Sequence, residues 1–202
     1  DPACRDVHGD WPRAFDSAQG LFRVTPELST LVHGFKYRHQ ARNARFLAAW
    51  IRFRPDLLGL AAESDGLVPV PLHAARRRER GYNQAEIIAR VFAAASGVRV
   101  IPGVLRRVRA TGTQTRLGKT ERASNLDGAF LCPDPSAVVG KRLILVDDVL
   151  TTGATAEACA LALRRAGCAS VKVLALGRVS DDAALGGDDF IREIDAAAAY
   201  LA

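Results

Sequence analysis

The run LILVDDVLTTGAT, residues 143–155, constrains this chain more than any other stretch. An apolar segment, Leu143 to Val146, ends in two adjacent acids, Asp147 and Asp148. Two residues further on comes a row of small and hydroxylated residues, Thr151, Thr152, Gly153, Ala154 and Thr155. Neighbouring carboxylates repel each other, and small residues give up packing contacts. A bound ligand would offset both. The apolar segment reads as a buried strand, and the next helix reads as TAEACALALRRAG, residues 155–167, stopped by Gly167. In open α/β sheets ligands bind beyond the carboxyl ends of strands. A helix start offers unpaired N–H groups and the positive end of a dipole, which suit a phosphate. Acids beside such a cradle accept hydrogen bonds from sugar hydroxyls. The expected ligand is therefore a ribose 5-phosphate group, with the acids on the 2- and 3-hydroxyls and residues 151–155 on the phosphate.

The same alternation of strand and helix recurs along the chain. GLVPVPL, residues 66–72, predicts a short strand ending in a loop. NQAEIIARVFAAAS, residues 83–96, predicts a helix capped by Asn83 and closed by Gly97. VRVIPGVLRRV predicts a strand, a Pro-Gly turn and a second short strand, and SVKVLALGRV predicts a later strand. Upstream, residues 29–53 read as one or two amphipathic helices with Leu31, Phe35, Phe46, Leu47, Trp50 and Ile51 at helical spacing. The fold class predicted is α/β: a mainly parallel sheet flanked by helices, with a small N-terminal helical subdomain. Residues 1–30 form an N-terminal segment, 31–180 the domain, and 181–202 a tail. The tail places Phe190, Ile191, Ile194, Ala198 and Leu201 on one helical face from about residue 188. It docks on the body, docks on a partner copy as in a homodimer, or is a disordered end; the sequence leaves these open.

Composition narrows the setting. No apolar run approaches the roughly 20 residues needed to span a bilayer, so membrane insertion is not expected. The four cysteines, Cys4, Cys132, Cys159 and Cys168, are scattered and form no CxxC pair. A zinc site within the chain is not expected, and a reducing cytoplasm is the simpler setting. There is no Met, so position 1 is expected to lie downstream of the true start. The balance is basic, 28 Lys+Arg against 22 Asp+Glu, and only Lys36, Lys119, Lys141 and Lys172 are lysines. Arginine forks suit phosphates and carboxylates.

LILVDDVLTTGAT resembles the phosphoribosyl-pyrophosphate (PRPP) motif of type I phosphoribosyltransferases. VPVPLHAARRRERGYNQAE (68–86), FKYRHQARNARFLAAW (35–50) and TGTQTRLGKTERASNLDGAF (111–130) resemble the ComF family of competence-associated, phosphoribosyltransferase-like proteins. These stretches lie in the family's order across residues 31–179. The resemblance implies a Rossmann-like fold of that transferase type, and binding of PRPP together with magnesium, which would reach the protein through PRPP without a direct side-chain ligand. It implies that Asp147 and Asp148 serve the ribose and the chemistry, and that Val70, Pro71, Leu72 and His73 touch the pyrophosphate through their backbone. Arg76 and Arg80, four apart and so on one helical face, are the candidate anion contacts; Arg77 and Arg78 read as a solvated face. The polar segment 109–128 would be a closing hood, with Arg122 and Asn125 its preferred members and Lys119 a weaker one. A four-cysteine zinc module often precedes this domain in the family; here Cys4 alone stands at that end, so residues 1–30 are a candidate remnant.

Two functions follow from the resemblance. One is transfer of a phosphoribosyl group to a nitrogenous acceptor with release of pyrophosphate, a glycosyltransferase activity. The other is a competence and DNA-uptake factor that binds single-stranded DNA or a helicase partner, with Lys36, Arg38, His39, Arg42 and Arg45 as a second basic group. A PRPP- or nucleotide-sensing role would use the same cradle. No residue stands out in the sequence as a general base or as a base-specific pocket.

Overall fold

In a computed structural model of the chain, residues 14–23, 47–49, 51–109, 126 and 128–178 are described, without the side chains of Arg23 and Arg80. The described residues include the strands and α-helices β1 (Ser17–Arg23), α1 (Pro55–Ala62), β2 (Gly66–Pro69), α2 (Ala74–Arg80), α3 (Gln84–Ser96), β3 (Arg106–Arg107), β4 (Phe130–Leu131), β5 (Arg142–Leu150), α4 (Ala154–Arg165) and β6 (Ser170–Arg178). Four strands form one sheet in the order β1-β6-β5-β2, every neighbouring pair parallel. The short strands β3 and β4 form a separate antiparallel pair.

Both faces of the parallel sheet are covered, which is why its strands read as continuous apolar runs and do not alternate. Successive residues of β5 point into different layers. Leu143 and Leu145 join Val171 and Val173 of β6 in packing against Ala156, Ala160 and Leu163 of α4. Ile144 and Val146 join Leu174 and Leu176 in packing against Ile88 and Phe92 of α3 and Leu57 of α1. Leu47 and Ile51, read as apolar positions at helical spacing in the upstream helices, are buried in this second layer. Residues 47–49 and 51–52 are helical there; Leu31, Phe35, Phe46 and Trp50 lie outside the described residues.

The ends of α3 and α4 lie where their punctuation predicts. Asn83 caps α3 through its side chain, and Gly97 closes it at φ 80°. Cys159 and Cys168 are buried, as expected of small thiols in a helix and the turn after it. Three features differ from the sequence reading. Residues 98–101 make a single parallel bridge, Val100 with Leu67, and no full strand. The eight-residue helix α1, which has Pro55 in its first turn, follows the upstream helical segment and was given no element in the sequence reading. The segment Ser17–Arg23, read without a strand, forms the edge strand β1 beside β6. Its first half is tied down: Asp16 accepts from the Val171 amide at 2.9 Å and the Ser170 hydroxyl at 2.7 Å, and also pairs with Arg164, while Gln19 donates to Asp56 at 3.0 Å. Among the described residues, no helix is long and apolar enough to cross a membrane.

Candidate active site

The chain leaves β2 towards α3 on one face of the sheet and leaves β5 towards α4 on the other. These strands are neighbours, with Pro69 opposite Val146. Their departures in opposite directions open a crevice at the carboxyl edge, the position at which doubly wound sheets bind ligands. Loop 70–73 forms one side of it and residues 151–153 the other. The two loops singled out in the sequence, some 80 positions apart, are thereby brought together.

The acids sit inside β5, which continues to Leu150. The ladder with β2 ends where the Val70 amide donates to the Val146 carbonyl at 2.8 Å. The Val70 carbonyl, which would accept the next β5 amide in a longer ladder, is taken by Asn83 Nδ2 at 2.9 Å. The Asp148 amide donates instead to Asp147 Oδ1 at 2.9 Å, and the Val149 amide to Asp148 Oδ1 at 2.8 Å. Each carboxylate thus keeps acceptor capacity while holding its own backbone.

The acids differ in surroundings. Burial pushes the Asp147 carboxyl well above the usual carboxylate range, the charge of Asp148 pushes it further, and Arg107 opposes both. The thiol of Cys159, on α4, is pushed up by burial and then by the charge of Asp147. Both acids are half-buried, and Asp147 follows the alternation of Leu143 and Leu145 on the α4 side of the strand.

Residues 151–153 lead into α4. Gly153 is buried and sits at φ 71°, a left-handed conformation that favours glycine. It is the N-cap of α4, and no side chain caps the helix. The first-turn amides are therefore left to a ligand or solvent. Thr151 is exposed, and Thr152, Ala154 and Thr155 are half-buried around this opening.

On the opposite side, Val70 is buried while Pro71, Leu72 and His73 are half-buried. His73 is the N-cap of α2: its Nδ1 accepts the Ala75 amide at 3.3 Å. Arg76 lies near enough to Arg107 for their charges to act on each other. Arg77 is largely exposed and makes a 3.4 Å ion pair with Glu86, and Arg78 is exposed, as predicted for a solvated face. The side chain of Arg80 and the hood members Lys119, Arg122 and Asn125 lie outside the described residues. The short strands β3 and β4 rest against α4 through Phe130.

Asn83 carries more than its predicted cap. It joins the start of α3 to the carbonyl of loop 70–73 and is itself 6% exposed. Replacement by Ala removes a cap, worth about 1 kcal/mol, and strands a buried carbonyl, worth about 1–3 kcal/mol. We expect Asn83→Ala to lower unfolding free energy by roughly 2–4 kcal/mol in a denaturant titration; an unchanged midpoint would contradict this account of the loop.

Arg107 was missed in the sequence. It is half-buried on the inward face of β3, and burial is the main cause of its lowered basicity. Only its place opposite Phe130 in the ladder shows that it turns inward.

The fold defines a phosphoribosyl transferase domain: the family model described as "Phosphoribosyl transferase domain" matches residues 78–185. The chain belongs to this family, in the ComF group of competence proteins. It is 38% identical over 160 residues to the DNA utilization protein YhgH of Salmonella typhi, covering 76% of this chain and 68% of that protein. It is 32% identical over 158 residues to competence protein F of Haemophilus influenzae, covering 75% and 68%. With competence protein ComFC of Bacillus subtilis the figures are 35% over 177 residues, 83% and 68%. Among solved structures it is similar to the glutamine PRPP amidotransferase of B. subtilis complexed with ADP and GMP, at 20% identity and a TM-score of 0.44; that match covers 75% of this chain and 33% of the other.

Proposed function

We propose that the crevice between β2 and β5 binds PRPP with magnesium and that the protein transfers the phosphoribosyl group to a nitrogenous acceptor, releasing pyrophosphate. The observation that carries this reading is the juxtaposition, at one switch point, of the uncapped start of α4 with Asp147 and Asp148. The 5-phosphate takes the amides of the first turn and the Thr151, Thr152 and Thr155 hydroxyls. Asp148, with Asp147 behind it, accepts from the ribose hydroxyls. Loop 70–73 holds the pyrophosphate through its backbone, with Arg76 adding charge.

Magnesium suits this donor set. It is a hard cation that prefers oxygen ligands and keeps several waters. Among the described residues, no group of three or more His, Cys, Asp or Glu side chains could hold a metal ion. As the resemblance implies, it would reach the protein through PRPP, and its chemistry there would be to neutralise charge on the departing pyrophosphate. The chain's own task is to fix the ribose and phosphate so that the C1–oxygen bond can break while the acceptor nitrogen approaches.

A screen of nucleobases for pyrophosphate release from PRPP tests this reading. Release that depends on one acceptor is expected; no release with any acceptor would remove the transferase claim.

The names of the relatives favour a second reading. Proteins called competence protein F and DNA utilization protein match three quarters of the chain. On this reading the basic surface serves DNA uptake by binding single-stranded DNA or a helicase partner. Oligonucleotide affinity would then fall steeply as salt rises, because phosphate contacts release counterions; absent or salt-independent binding would rule it out.

A further inference from the structure

Val70 stands where β2 gives way to its loop, and both of its main-chain polar groups are held by other elements. Its amide donates to the Val146 carbonyl of β5 at 2.8 Å. Its carbonyl accepts Asn83 Nδ2 at 2.9 Å, while Asn83 Oδ1 accepts the Ala85 amide of α3 at 3.1 Å. Val70 and Asn83 are each 6% exposed, so neither bond is shared with bulk water. The next residue, Pro71, has its φ fixed by the ring at about −65° and carries no N–H. The path of the chain out of the sheet is therefore set by one side chain, 13 residues downstream.

Beyond Pro71 the loop offers main-chain N–H groups. The Ala75 amide is already taken by His73 Nδ1 at 3.3 Å, and the His73 carbonyl by the Arg77 amide at 2.9 Å. Among the described residues, the amides of Leu72 and His73 have no hydrogen-bond partner. Both residues are half-buried beside the crevice. Two successive open N–H groups suit an anion, and hydrogen bonds from them to a charged oxygen are stronger than those to a neutral one.

We propose that Asn83 is a positioning residue for the pyrophosphate: by holding the Val70 carbonyl, it sets the following peptides so that the Leu72 and His73 amides meet the anion. This rests on the reading above that loop 70–73 binds pyrophosphate. The two duties of Asn83 can be separated, because Oδ1 serves the helix and Nδ2 serves the loop.

The test uses inorganic pyrophosphate with magnesium and ribose 5-phosphate as calorimetric probes of the full chain. Asn83→Ser keeps a good N-cap oxygen but is too short to reach the Val70 carbonyl. It should weaken pyrophosphate about tenfold, the loss of one charge-assisted hydrogen bond, and leave ribose 5-phosphate, held at the start of α4, unchanged. Leu72→Pro deletes one of the two open amides without touching Asn83, and should show the same selective loss. It keeps the proposal testable if Asn83→Ser does not fold. A merely structural Asn83 would lower the melting temperature and weaken both probes alike. Equal losses for the two probes, or pyrophosphate affinity unchanged in Leu72→Pro, would overturn the proposal. Should the wild-type protein bind no pyrophosphate in the presence of magnesium, the loop reading falls and this inference falls with it. Pyrophosphate binding that survives Asn83→Ser at full strength sinks the inference alone.

Discussion

Gly153→Val is expected to abolish measurable sugar-phosphate binding and to lower stability at the same time. Gly153 holds φ 71° at the start of α4. A left-handed backbone costs an L residue about 1–2 kcal/mol, and a β-branched side chain tolerates it least. The added methyls would also stand at the buried mouth of the cradle. Losing one or two charge-assisted hydrogen bonds, each worth about 1.5–3 kcal/mol, corresponds to roughly 10-fold to 10,000-fold in affinity. Thr151→Ala makes a useful comparison: that side chain is exposed, so its loss should weaken binding only several-fold and leave the melting temperature unchanged. Unaltered ribose 5-phosphate affinity in Gly153→Val would mean that the phosphate is held elsewhere.

The second large effect concerns the acids, and the two should separate. Asp148→Asn is isosteric and keeps an oxygen for the Val149 amide, so the fold should persist. It turns a charged acceptor of hydroxyl protons into a neutral one, which should weaken ribose 5-phosphate binding by roughly 10–150-fold at about 1.5–3 kcal/mol per charged hydrogen bond. Asp147→Asn should also weaken binding, but its effect on stability has the opposite sign. Burial and Asp148 raise the folded-state pKa of Asp147. An acid with a raised folded pKa contributes most below its unfolded value, about 3.9, and that contribution is lost as pH rises through the folded value. At neutral pH the titratable carboxyl in this site carries a cost that the amide removes. Asp147→Asn should therefore melt at the same temperature as wild type or higher at pH 7, with the advantage disappearing in acid. A lower melting temperature at pH 7 would show that Asp147 holds the strand end together.

The parts of the site that were legible in the sequence are those whose determinants are contiguous. Asn83 and Gly97 announce α3 by cap chemistry that needs nothing beyond the neighbouring residues. The stretch from Leu143 to Thr155 contains strand, acids, turn and helix start in one run, so its geometry follows from local rules. The pairing of loop 70–73 with residues 151–153 was anticipated from family likeness; physically it depends on β2 lying next to β5, which no local pattern announces. Strand β1 was invisible because SAQGLFR contains Gly20 and lacks alternation, and it becomes a strand by pairing with β6 about 150 residues later. Arg107 was hidden for a related reason. Four residues of Arg and Val follow one another at 106–109, and only the register with Phe130 selects the one that turns inward.

The hydrogen-bond pattern at the end of β5 adds something the motif alone does not contain. Asn83 removes the Val70 carbonyl from the ladder, and the strand's next amide turns to its own side chain. The crevice is thus kept open by a residue on a different helix. In a parallel sheet the tendency is to zip further, and a capped carbonyl is a direct way to stop it.

The central claim is best tested by amide chemical-shift mapping during titration with ribose 5-phosphate. The account predicts that the largest changes fall on the amides of residues 151–156, with smaller ones at Asp147, Asp148 and the loop after β2. Changes confined to the opposite edge of the sheet, or an unperturbed start of α4 at saturating ligand, would contradict it.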